Sequence, residues 1–285
     1  LAAMLACGAS AFIARLASTG GRSIEVSNDY TADFGHPGRL YPTLEEGSVV
    51  EPHRPTRLAL AAETLAALPE ELLLSAAGAA GDEPETSASF TWAITQTSNG
   101  VRDSRHEGLS VEVTFATLGT YDTTLTASVA GVEVAASRTL VCKYVRRELR
   151  KLRDADREAY FDALQTMMNT PTREGARAYG DHYRSLDYFV EVHMNLAADR
   201  TDDHLHDGMG FLTQHVALTN EFERALQSVD GAASVPYWDY TYDAYLVDRF
   251  ITAAATAVES YGGTSRELHE RSLRLFAEAG RRNRL

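Results

Sequence analysis

The chain has 285 residues, 44% of them apolar and 24% charged, enough to bury a sizeable core and to make two domains. Its formal net charge of −13 excludes nucleic acid as a general partner, because phosphate backbones are bound by a basic footprint. The two cysteines, Cys7 and Cys142, form no CxxC pair, which excludes a zinc ribbon, thioredoxin-type redox chemistry and a disulfide framework.

In chain order, the first fourteen residues are uncharged and mostly apolar, ending at Arg15. That is short of the roughly twenty residues that span a bilayer. Two readings fit residues 1–22: the remnant of a signal or membrane-anchor segment, or a short buried Ala-rich helix. The first brings an expectation of a secreted or membrane-anchored, extracellular or lumenal protein, with a possible membrane anchor at the N-terminus.

Residues 23–142 read as strands. Phe90–Ile94, Val111–Phe115, Tyr121–Val129 and Val132–Val134 alternate apolar and polar positions or are rich in β-branched residues. Turn signals stand between them at Ser98-Asn-Gly100, Leu118-Gly-Thr120 and Ala130-Gly131. Short strands at this spacing predict an all-β sandwich. The Gly119-Thr-Tyr121 turn into a long alternating strand resembles the immunoglobulin-like or polycystic-kidney-disease-type modules of extracellular proteins. The Ala- and Leu-rich stretch 58–80 fits either strand or helix.

From about Lys143 apolar residues recur at three and four, which predicts helices over 144–152 and 154–164, with Asp154 as an N-cap. Further helices are expected over 172–198, 209–229, 243–260 and 265–280. The domain boundary is placed at 142/143. The expected fold class is therefore α+β with two domains, a β-sandwich followed by a helical bundle.

The chemistry-bearing residues lie in the helical part. His193, His206 and His215 fall within 23 residues, and eight residues separate the last two. His193 and His215 sit on two predicted helices and His206 in the loop between, beside Gly208 and Gly210. Two facing helices and one loop can bring three imidazoles to one point. A site of neutral imidazoles without thiolate suits copper or zinc. His204 competes with His206, which alone has the eight-residue interval to His215. His182 and His193 share a predicted helix face, but eleven residues put them about 16 Å apart along the axis, too far for one ion. His269 reads as solvated, and His36, His53 and His106 have no partner at ligand spacing. Taken singly, each of the three main histidines also fits a core position satisfied by one hydrogen bond.

Around these residues the chain resembles the first-copper region of the tyrosinase, catechol oxidase and haemocyanin family. The matching positions are His206, Phe211, Leu212, Thr213, His215, Thr219 and Glu223, then the segment Pro236-Tyr-Trp-Asp239, with His193 as the upstream helical histidine. The resemblance covers about 144–243. It implies a tyrosinase-like helical bundle over 143–285, incomplete, with copper held by His193, His206 and His215. It also implies oxidation of a phenolic small molecule, a phenol or catechol, to a quinone with dioxygen. Gln214 and Val216 depart from the family, which usually has an aromatic residue and Arg there. His204 stands where some members carry a cysteine linked to the histidine ligand, so that link cannot form. Glu223 and Asp239 read as orienting or helix-packing carboxylates, and Tyr237 and Trp238 as core.

The family's second copper site requires a His-x3-His pair and a later histidine, whereas His269 is the one histidine after Asp239. The expectation is thus a fragment of a longer protein that carries the first site only. Two alternatives from other classes remain: a metal- or dioxygen-binding module without turnover, and an extracellular interaction protein in which the copper fold is scaffold.

Overall fold

Alternating side chains drive the first half of the chain into strands, and the computed structural model shows eight of them among the residues it describes. Those residues are 2–30, 48–76, 87–97, 103–197, 201, 203–241, 243–245 and 249. The strands are β1 (Ile24–Ser27), β2 (Ser48–Val50), β3 (Pro55–Leu60), β4 (Ala88–Gln96), β5 (Asp103–Glu107), β6 (Ser110–Thr114), β7 (Gly119–Val129) and β8 (Val132–Cys142). One sheet has the order β1-β3-β6 and the other β2-β8-β7-β4-β5. All neighbours are antiparallel except β2 and β8, which run parallel. At the β7–β8 hairpin, Ala130 (φ 51°) and Gly131 (φ 79°) both adopt the left-handed conformation that a tight two-residue turn requires.

One face of the larger sheet is buried. Along β4 the residues at 88, 90, 92, 94 and 96 are inside, and along β7 those at 121, 123, 125, 127 and 129. What covers that face is largely helical. Helix α1 (Ala2–Thr19) lies against β8 and sends Ala9, Phe12 and Leu16 into the core, with Phe12 edge-on to Phe90 at 6.1 Å. A single turn α2 (Ala62–Leu65) follows β3, and α3 (Glu70–Ala76) packs on β4, burying Leu72. Of the ambiguous stretch 58–80, the part to Leu60 is strand, Ala62–Leu65 and Glu70–Ala76 are helix, and 77–80 lie outside the described residues.

This arrangement overturns the expected immunoglobulin-like sandwich. The sheets are mixed with helices, and the larger one curls as a half-barrel around a shared core. Period-two alternation reports that one sheet face is buried but carries no information about what buries it. Here α1 and α3, together with the small sheet, occupy the space that a sandwich gives to a second full sheet.

The helical part contains α4 (Asp154–Asn169), α5 (Thr172–Tyr179), α6 (Leu186–Ala197) and α7 (Gly210–Val229). Met167, Phe189, Ala225 and Leu226 meet in its core, where Phe189 packs edge-on to Phe222 at 5.2 Å. The single helix expected over 172–198 is broken at Gly180, whose φ of 95° is outside helical space. The chain then inserts Tyr183, fully buried, with its hydroxyl shared between the carbonyls of Thr166 and Thr170. Its ring occupies the place of a side chain on Gly175, where a Cβ would lie 1.9 Å from the ring.

Residues 144–152 form no α-helix and make one tight turn at Leu149–Lys151, flanked by extended Glu148 and Leu152. Their backbone is engaged elsewhere: Tyr237 N–H donates to the Arg147 carbonyl and Leu149 N–H to that of Tyr237. Residues Arg147–Arg153 group with the described residues from Pro236 as one compact unit, and the described residues up to Arg146 group with those of 154–235 as another. Within the latter, Arg54 joins the strand region to the helices: it pairs with Asp29, Glu51 and Asp156, and Tyr30 also donates to Asp156. Most of the expected helix 243–260, and all of 265–280, lie outside the described residues. No helix among the described residues is long and apolar enough to cross a membrane.

Candidate metal centre

His193 occupies the middle of α6 and His215 the second turn of α7, and the connection between these helices carries His206. The three rings converge. Their centroids are 5.2 Å (His193–His206), 5.5 Å (His206–His215) and 6.2 Å (His193–His215) apart. One ring nitrogen from each lies within 4.8 Å of the others, the one such group of His, Cys, Asp or Glu side chains among the described residues.

Hydrogen bonds set the orientation of two of the rings. Nδ1 of His206 is 2.8 Å from Asp203 Oδ2, and Nδ1 of His215 is 2.7 Å from the Phe211 carbonyl oxygen. An ionised carboxylate and a carbonyl only accept, so in each neutral ring the proton sits on Nδ1. Nε2 is left with its lone pair available for a metal ion. Such an arrangement, imidazole held by an oxygen behind it, is how proteins orient histidine ligands.

Asp203 also shapes the loop. Its Oδ1 accepts from the backbone N–H groups of Leu205 (2.9 Å) and His206 (2.8 Å). These contacts, led by the His206 backbone hydrogen bond, hold its carboxyl down at about 2. Leu205 is buried and His204 N–H donates to the Leu196 carbonyl, which anchors the loop to the end of α6. The competitor His204 lies outside the ring cluster. His182 falls in the turn after Gly180 rather than on a helix with His193, and it too is elsewhere.

The two carboxylates of the family register do other work. Glu223 takes a two-pronged ion pair from Arg146 (3.0 and 2.7 Å) and accepts the N–H of Val235 at 2.9 Å. It is a clip between α7 and the chain on either side of the bundle, and its hydrogen bond raises the Arg146 pKa. Asp239 caps its own turn, accepting from the backbone and hydroxyl of Thr241. Tyr237 and Trp238, read as core, are more than half exposed.

Sequence reasoning overlooked Asp203. Its signal was present, since Asp three residues before a loop histidine is the spacing at which an aspartate side chain caps the backbone ahead of it. Several exposed apolar residues neighbour the ligands in sequence, Val190 and Met194 on α6 and Phe211, Leu212 and Val216 on α7, and the Phe211 ring centroid lies 4.5 Å from that of His215.

The donor set fits copper. Three imidazoles with no thiolate or carboxylate ligand suit a borderline divalent or cuprous ion, and the fixed Nδ1 protons leave the other nitrogens free to bind it. Comparison with known proteins points the same way. Residues 183–278 match the family model described as the common central domain of tyrosinase. The chain is 41% identical over 75 residues to a tyrosinase of Streptomyces glaucescens, covering 26% of this chain and 24% of that protein. It is 36% identical over 88 residues to a tyrosinase of Streptomyces lincolnensis, covering 30% of each. A tyrosinase-like protein of Diaporthe leptostromiformis is 33% identical over 104 residues, 35% of this chain and 24% of that one. No solved structure matches. The chain therefore spans under a third of the length of these curated relatives, and the similarity to the tyrosinase family is confined to the matched segment, residues 183–278.

Proposed function

We propose that His193, His206 and His215 hold one copper ion, and that this is the first copper site of a tyrosinase-type oxidoreductase. The reaction is the oxidation of a phenol or catechol to a quinone: two catechols give up four electrons and four protons, which reduce one dioxygen to two waters, whereas a phenol takes one oxygen atom from dioxygen and the other leaves as water. The observation that carries this reading is the pair of Nδ1 hydrogen bonds, to Asp203 and to the Phe211 carbonyl, which leave two imidazoles with Nε2 free beside the third. Copper, when bound, supplies a reversible one-electron change and an affinity for dioxygen. The chain's own part is to bind and orient. Asp203 fixes the His206 ring, the first turns of α7 fix His215, and α6 supplies His193. The exposed Phe211 ring, 4.5 Å from that of His215, suits contact with an aromatic ring that carries a polar hydroxyl.

The experiment is copper content per chain in purified protein and in His215→Ala, with catechol oxidation followed in parallel. Loss of copper in the variant supports the ligand set, and equal copper in both refutes it. A second reading, a binding module without turnover, is favoured by the openness of the site: the His206 side chain is 41% exposed, whereas oxygen chemistry is usually enclosed from water. Bound copper without catechol oxidation decides for that reading.

A further inference from the structure

A cleft of about 390 Å³ lies on another side of α7, lined by His182, Arg184, Ala217, Asn220, Glu221 and Arg224. At 100° per residue, Asn220, Glu221 and Arg224 stand roughly 120–180° around the helix from His215, so the cleft is separate from the histidine triad. Its lining is dominated by hydrogen-bond donors. The Glu221 carboxylate is already engaged, by the Tyr188 hydroxyl at 3.1 Å and by Arg184 Nε at 3.8 Å. Asn220 turns its Oδ1 to Arg146 at 2.9 Å, which leaves its amide N–H groups facing away from Arg146.

Arg184 is held rigidly. Its Nη1 donates to the carbonyls of Asp181 (2.8 Å) and Tyr183 (2.7 Å), and its guanidinium lies over the Tyr188 ring at 5.6 Å. Its Nη2 has no partner among the described residues, nor have the side chains of Arg224 and His182. A fixed guanidinium loses little freedom on binding, which favours recognition of a planar or tetrahedral oxyanion.

We propose that this cleft binds a phosphate group, either free phosphate or a small phosphate ester. Donors from Arg184, Arg224, Asn220 and His182 outnumber what one carboxylate group accommodates, while a phosphate offers at least three strong acceptor oxygens. The chain's net charge of −13 opposes the approach of anions at long range. Attraction must therefore come from these short-range donors rather than from the field of the whole molecule.

The test is titration of the metal-free 285-residue protein with inorganic phosphate and with glycerol phosphate, by calorimetry at constant ionic strength, with acetate as the carboxylate comparison. Saturable phosphate binding is expected in the unmodified protein and in His215→Ala. In Arg224→Ala, an exposed position, it is expected to weaken about tenfold, the loss of one charge-assisted hydrogen bond. Arg224→Lys should fall between. Tighter binding of glycerol phosphate identifies an ester as the occupant, and equal or weaker binding identifies free phosphate. The proposal is overturned if no saturable binding occurs, if acetate binds as tightly, if Arg224→Ala binds unchanged, or if His215→Ala abolishes binding.

Discussion

Asp203 holds His206 at two points: Oδ1 accepts the backbone N–H at 2.8 Å, and Oδ2 accepts the ring Nδ1–H at the same distance. One carboxylate thus fixes both the loop conformation and the tautomer of the imidazole it presents. Asp203→Asn keeps the shape but replaces an ionised acceptor with an amide that accepts through one atom only. Loss of such an orienting partner typically lowers metal affinity about 10–100-fold. Competition titration of copper against a chelator checks this, and an unchanged affinity would show that the contact does not orient the ligand.

The same carboxylate sets a pH dependence whose sign follows from its lowered pKa. Its folded value of about 2 lies below the ordinary 3.8, with the His206 backbone hydrogen bond the leading cause. The unfolded loop therefore binds a proton more readily than the folded one. Ordering by Asp203 is fully present above pH 3.8 and is lost as pH falls through about 2. Carboxyl-carbon NMR of the metal-free protein should show the Asp203 midpoint near 2, and in His206→Ala, which keeps the backbone hydrogen bond and removes the ring contact, it should rise only part of the way toward 3.8. A midpoint at 3.8 in the unmodified protein contradicts the geometry.

The clustering of the three histidines was more legible than the fold. The interval from His206 to His215, together with Phe211 and Glu223, already placed a loop histidine and a helix histidine together, because an α-helix and its preceding loop are local structures that the sequence sets within a few turns. The choice of His206 over His204 rested on spacing, and the structure brings His206 into the cluster through Asp203 and the buried Leu205, neither of which the spacing showed. The partner of the sheet was not legible, since contact between Phe12 and Phe90 joins residues 78 apart and leaves no local period. Nor was the break at Gly180, because the apolar rhythm of 172–198 continues through it while Tyr183 turns inward.

Arg54 is expected to be the most sensitive charged residue outside the histidine site. Its side chain is 12% exposed, and its guanidinium meets Glu51, Asp156 and Asp29. Burial alone would lower its pKa, but the three carboxylates outweigh burial and hold it above its ordinary value. Arg54→Ala leaves Glu51, itself 6% exposed, as a buried charge without its cation. Breaking one side of a buried ion pair costs about 3–5 kcal/mol. Denaturant unfolding should show a loss of that size, and adding Glu51→Gln should recover part of it. A loss under about 1 kcal/mol, the range of exposed pairs, would mean that the network is solvated.

Gly175 and Tyr183 test whether the break before α6 positions His193. A Cβ at 175 would lie 1.9 Å from Tyr183 Cε1 and 2.2 Å from Cδ1, so the whole ring must move rather than a flexible tip. Gly175→Ala gains some helix propensity in α5, about 1 kcal/mol, but overpacking a filled core typically costs about 1–3 kcal/mol and forces the backbone to shift. Net destabilisation is expected, with copper affinity reduced because the displaced turn leads directly into α6. Tyr183→Phe keeps the ring and removes the hydroxyl shared by the Thr166 and Thr170 carbonyls, a loss of about 1 kcal/mol. It should leave copper affinity near that of the unmodified protein. Thermal unfolding and the same chelator competition separate the two variants. If Gly175→Ala is destabilised but binds copper normally, then α6 is positioned by Phe189 and Phe222 alone, and the Tyr183 insert serves stability without serving the site.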